Sequence, residues 1–222
     1  MTHAQAVAYL NKEKLVAILR GVPEEASLPL VEALLSGGVK ILEFTFDHGE
    51  PGYVKDTCRK VARIRAAFGD DLLLGCGTVL STEEADATIQ AGAQMIISPH
   101  TDADLIRHGK SLGAVCIPGA FTPTEIVAAH KAGADFVKLF PAGELGLDYI
   151  KAILAPLIHI PLIAVGGVKP ESVGGFLNAG VKGFGVGSQL ADVKSLKAGD
   201  FGSIRERALA FTKAIAAWEG KV

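Results

Sequence analysis

A chain of 222 residues, 49% of them hydrophobic, is long enough to bury most of its apolar surface without disulfides or a structural metal. Its formal net charge is −2, from Lys+Arg 22 against Asp+Glu 24, with no run of like charge. Nothing in that balance calls for a nucleic-acid surface, and a small-molecule partner is expected. Cys58, Cys76 and Cys116 show no CxxC spacing, which fits a reducing compartment. The N-terminus lacks a basic start with an apolar core, and no stretch approaches the roughly 18–20 apolar residues of a membrane span. A cytosolic protein with no membrane partner is the expectation.

In chain order, residues 3–13 read as a helix, followed by a first strand at 15–19, "LVAIL". An amphipathic stretch at 24–38 ends in Gly-Gly before a second strand, 40–46, "KILEFTF". Further strands are read at 71–75, 94–98, 114–117, 135–140, 161–165 and 183–187. Ser81 and Glu84 have capping-box spacing at the start of one intervening helix. Thr122, Pro123 and Glu125 give another helix an N-cap, a proline at its first position and an acid two residues on. The phrases at 91–93, 132–134 and 179–181 each stop a helix with glycine before a strand. A last helix covers 201–218. Eight βα units without a linker predict an α/β fold, a single (β/α)8 TIM barrel spanning 1–222 with an N-terminal helix closing one end. An open doubly wound sheet is the competing arrangement.

In such a barrel the chemistry sits where the strands end at their C-terminal edge. Alternation along the sixth strand puts Phe136, Lys138 and Phe140 on one face, and Val137 and Leu139 on the helix-covered face. The second strand turns Ile41, Glu43, Thr45 and Asp47 inward; the first turns Val16, Ile18 and Arg20 inward. An Arg, a Glu and a Lys are thus expected in one enclosed volume. Desolvation and a neighbouring cation favour the free amine of a lysine, which is a nucleophile toward carbonyls. A carboxylate beside it can move protons. The bland alternative is a structural Lys138–Glu43 ion pair.

Glycines cluster after the seventh and eighth strands, in "AVGGV" (164–168) and "GVGS" (185–188). The loops there are a recurrent phosphate site in these barrels. Gly166 and Gly167 would let the backbone approach a phosphate, and Ser188 could donate its hydroxyl, although glycines also serve simply as tight turns. Thr78 follows the third strand and is either a substrate contact or a helix cap. Ser98, Pro99 and His100 follow the fourth, with no partner evident for His100. No HExxH or clustered His/Cys set asks for a metal, and no cofactor is expected.

Eight blocks carry a family resemblance: "VAILRG" (16–21), "GGVKILEFTF" (37–46), "GCGTVLS" (75–81), "AGAQMIISPH" (91–100), "IPGAFTPTE" (117–125), "FVKLFPA" (136–142), "AVGGVKPESV" (164–173) and "GVGSQL" (185–190). In these the chain resembles the bacterial class I aldolases of 2-keto-3-deoxy-6-phosphogluconate and 4-hydroxy-2-oxoglutarate (KDPG and KHG). The resemblance implies a metal-free barrel assembled as a homotrimer that cleaves a phosphorylated keto acid to pyruvate and glyceraldehyde 3-phosphate. It implies that Lys138 forms an imine and Glu43 moves protons. Arg20 would hold the pyruvate carboxylate, with Thr78, Pro99 and Phe140 lining that end. Gly166, Gly167, Gly187 and Ser188 would hold the phosphate. Two departures bear on the substrate. Some members carry an Arg shortly after the second-strand Glu, where this chain has Asp47 and His48; Asp47, pointing into the mouth, could select a different acceptor. Many have Thr where this chain has Val165, and "AVGG" is similar to the 6-phosphogalactonate branch. A sugar-phosphate epimerase or isomerase, or a non-catalytic binding barrel, would suit the same scaffold.

Overall fold

The structure is a computed structural model that describes residues 1–218; residues 219–222, the end of the expected 1–222 domain, lie outside the described residues. Nine parallel strands form one sheet: β1 (Leu15–Leu19), β2 (Ile41–Thr45), β3 (Leu73–Gly77), β4 (Met95–Ile97), β5 (Val115–Ile117), β6 (Gly119–Ala120), β7 (Val137–Leu139), β8 (Leu162–Val165) and β9 (Gly183–Val186). Their order is β5-β4-β3-β2-β1-β9-β8-β7-β6. The two ends of that order, β5 and β6, are consecutive in the chain across Pro118, which has no N–H to give a ladder. They make one stave, bonded to β4 through its lower half and to β7 through its upper half. Counted this way the eight expected staves close into a barrel, and the open sheet is ruled out.

The alternation read from the sequence separates two cores. Leu42, Phe44, Phe46, Val137 and Leu139 pack outward under the helices. Val16, Ile41, Leu73, Met95, Ile97, Ile117, Phe136 and Ile163 fill the barrel interior. Ala6 and Leu10 belong to the interior set, so α1 (His3–Glu13) plugs the N-terminal end. Thr2 caps α1 with a full capping box, and His3, Lys110 and Asp135 fasten it through contacts of 2.6–2.9 Å.

Several boundaries differ from expectation by one to three residues, as where the expected strand 135–140 shortens to β7. β3 runs Leu73–Gly77, two residues beyond the expected 71–75, because residues 69–71 form a 3-10 turn. Glycine weakens a strand by propensity, but here space decides. A Cβ on Gly75 would lie 2.7 Å from that of Met95, and one on Gly77 would collide with the Glu43 carboxylate. The last helix, Phe201–Ala216, stops short of 218.

Candidate active site

Glu43 sits at the middle of β2, opposite Ile18 of β1 and Gly75 of β3. It is 2% exposed. Burial pushes its carboxyl above the usual carboxylate range, opposed by the charges of Lys138 and Arg20 and by the neighbouring Thr45 hydroxyl. Lys138 is the central residue of β7, with its backbone N–H bonded to Pro118 O at 2.8 Å. Its side chain lines an interior cavity with Glu43, Ile97, Ile117, Ile163, Val165 and Gly185. Among the described residues Lys138 and Glu43 form no direct ion pair, although the Lys138 charge acts on the Glu43 carboxyl. The Lys138 ammonium end lies 5.7 Å from the centre of the Phe140 ring.

The expected enclosure of three charges needs correction. Only Glu43 is buried; Lys138 is half-buried and Arg20 is exposed. Arg20 ends one residue past β1, where the wall has already opened, so it stands on the rim and acts on Glu43 from there.

Above the cavity a cleft of about 230 Å³ is lined by Arg20, Phe140, Gly166, Gly167, Gly187 and Ser188, with Val165 and Gly185 shared between cleft and cavity. Gly166 (φ 87°) and Gly167 (φ 70°) both take the left-handed conformation. Gly143, in the first turn of α7 (Ala142–Leu157), donates its N–H to Gly166 O at 2.8 Å, and a Cβ on it would lie 2.7 Å from Gly167 Cα. The glycine loop is thus wedged against α7 with its backbone facing the cleft.

Thr78 and Pro99 line neither space. Thr78 is half-buried one residue beyond β3, and Pro99 is exposed two residues beyond β4, on the same rim. Thr78 has φ 57°, a left-handed conformation that a β-branched residue rarely takes and that is held only under constraint. Asp47 is also corrected. It lies in a separate pocket with Gly21, Glu50 and Tyr53 and accepts from Gly49 N–H at 3.2 Å, so it does not reach the cleft. Gly77 went unread as a site residue; two glycines at strand spacing, Gly75 and Gly77, are the signal that marks close approach on one face.

Residues 7–207 match the protein family described as KDPG and KHG aldolase. The chain belongs to the KDPG and KHG aldolase family. It is 37% identical over 181 residues to the 2-dehydro-3-deoxy-6-phosphogalactonate aldolase of Escherichia coli (strain K12), covering 81% of this chain and 85% of that protein. It is 31% identical over 197 residues to the 2-dehydro-3-deoxy-phosphogluconate aldolase of Treponema pallidum (strain Nichols), covering 88% and 90%. A KDPG aldolase structure from Legionella pneumophila, with pyruvate captured as a covalent carbinolamine, superposes with a TM-score of 0.82 at 26% identity, covering 93% and 98%. As an aldolase of this family the protein is a lyase, which leaves the epimerase and the inert barrel without support.

Proposed function

We propose that the protein is a Schiff-base aldolase cleaving a 2-keto-3-deoxy-6-phospho sugar acid to pyruvate and glyceraldehyde 3-phosphate. The observation that carries this reading is the pair Lys138 and Glu43, facing one interior cavity without being bonded to each other. The free amine of Lys138 adds to the C2 ketone, and loss of water leaves a cationic imine. Glu43, as carboxylate, takes the proton of the C4 hydroxyl. The C4–O electrons form the aldehyde as the C3–C4 pair moves into the imine, giving an enamine and free glyceraldehyde 3-phosphate. Protonation at C3 and hydrolysis release pyruvate and restore the amine. Arg20 meets the carboxylate, with Thr78, Pro99 and Phe140 at that end of the substrate. The Gly166–Gly167 backbone, Gly187 and Ser188 receive the phosphate.

Between epimers we assign the 6-phosphogalactonate series rather than the gluconate series first expected. Val165 supports this: it is buried where cavity and cleft meet, between Lys138 and the loop we assign to the phosphate. The relatives at 37% and 36% identity bear the galactonate name, and those at 31% the gluconate name. Pyruvate release from both epimers and from 4-hydroxy-2-oxoglutarate, coupled to lactate dehydrogenase, tests the assignment. A kcat/KM for the galactonate epimer about tenfold above the gluconate one is expected; the reverse order contradicts it.

A homotrimer in a reducing cytosol completes the reading. Supporting the assembly is an apolar face where half-exposed Phe121 packs on Tyr149 at 6.3 Å beside Pro123, Val127 and Ala128. Supporting the compartment are three free cysteines.

A further inference from the structure

Glu84 opens α4 (Thr82–Gln90) and is 7% exposed. In a capping box, the acid at this position reaches back to the backbone N–H of the cap residue. Here Ser81 caps the helix by accepting from Glu84 N at 3.2 Å, but the Glu84 carboxylate goes elsewhere. Its Oε2 accepts the backbone N–H of Leu80 at 2.6 Å. Its Oε1 accepts the Tyr53 hydroxyl at 2.5 Å and meets His48 Nε2 at 2.9 Å. The His48 and Tyr53 rings lie 4.5 Å apart, and Tyr53 packs on Phe46 at 5.7 Å. One buried carboxylate therefore joins the loop after β2 to the loop after β3, both on the C-terminal rim.

The second loop needs that hold. Thr78 is kept left-handed by ties on either side. Before it, Gly77 O accepts from Phe46 N at 2.9 Å. After it, Val79 N donates to Ile97 O at 3.1 Å, and Leu80 N donates to Glu84. Strain of this kind persists only where the surroundings over-determine it. Removing the Leu80 tie takes away one of the bonds that fix this turn and lets the chain relax toward φ < 0, which turns the Thr78 side chain away from the rim.

We propose that Glu84 is a positioning residue for the reaction, clamping the His48 loop and the Thr78 loop in the geometry the site uses; this rests on the aldolase reading above. The test compares E84A, E84Q and Y53F with T2A, which removes the α1 cap at the opposite end of the barrel. Hydrogen exchange of residues 47–52 and 78–81, melting temperature, and kcat and KM for pyruvate release are measured on each. E84A is expected to speed exchange in both loops together and to lower kcat/KM about tenfold, since small misplacements of contacting groups carry costs of that order. E84Q, which keeps an acceptor for Leu80, recovers most of that loss. Y53F, which loses one donor and keeps the fold, falls between. T2A lowers the melting temperature without changing kcat/KM. Wild-type exchange at Leu80 in E84A, or a loss of kcat/KM no greater than in T2A, overturns the proposal. A wild-type enzyme that releases no pyruvate from any of the keto acids refutes the aldolase reading instead, and the clamp is then decided by exchange at Leu80 alone.

Discussion

Burial raises the Glu43 carboxyl above its ordinary range, and its pH behaviour follows in sign. A carboxyl raised by burial supports the fold below its unfolded value, near 4.3, and loses that contribution as pH climbs through the raised native value. Glu43→Gln should therefore melt about 2–4 °C above wild type at pH 8, and the gap should close below about pH 4. Cleavage should collapse in the same variant, because the amide cannot take the C4 proton. Scanning calorimetry across that range, beside a pyruvate assay, checks both halves; a variant less stable at pH 8 than wild type contradicts the sign. In the wild type the acid limb of kcat/KM should lie above about 4.3. Gly77 makes the complementary test. A methyl there would occupy the space of the Glu43 carboxylate, so Gly77→Ala should cost about 100-fold in kcat/KM while circular dichroism stays native.

Among the elements, the glycine loop after β8, which we propose receives the phosphate, depends on contact with α7. Gly143→Ala would drive a methyl into Gly167. KM for the phosphorylated acid should rise about tenfold, and KM for unphosphorylated 4-hydroxy-2-oxoglutarate should move little; equal changes in both would refute the phosphate assignment. α1 has a different task. Leu10 is fully buried in the interior core, so Leu10→Ala should cost about 2–5 kcal/mol of stability in denaturant titration with kcat largely kept. The elements also show what a sequence reveals. α1 and β1 were legible at about 3–13 and at 15–19, and the structure places them at those bounds. The capping box of α6 (Pro123–Ala132) was equally plain. The end of β3 was not. Propensity stops a strand at glycine, whereas Gly75 and Gly77 are there to make room for Met95 and Glu43 from neighbouring strands. That Lys138 and Glu43 face one interior followed from strand alternation in a closed barrel. The exposure of Arg20 did not, since it depends on where the wall ends. Glu84 read as a helix cap because its partners come from another loop.

For the whole molecule, closure across Pro118 is what brings Lys138 of β7 and Glu43 of β2 to one cavity; an open sheet would separate them. The apolar face around Phe121 leads us to expect a trimer by sedimentation equilibrium, with Phe121→Glu shifting it toward monomer. Imine chemistry at Lys138 is the claim on which the rest depends. Incubating the protein with pyruvate and borohydride, then mapping the adduct by peptide mass spectrometry, tests it most directly. The account predicts a reduced pyruvyl adduct on Lys138, absent in Lys138→Ala. An unmodified Lys138, or an adduct on another lysine with activity surviving in Lys138→Ala, would contradict it.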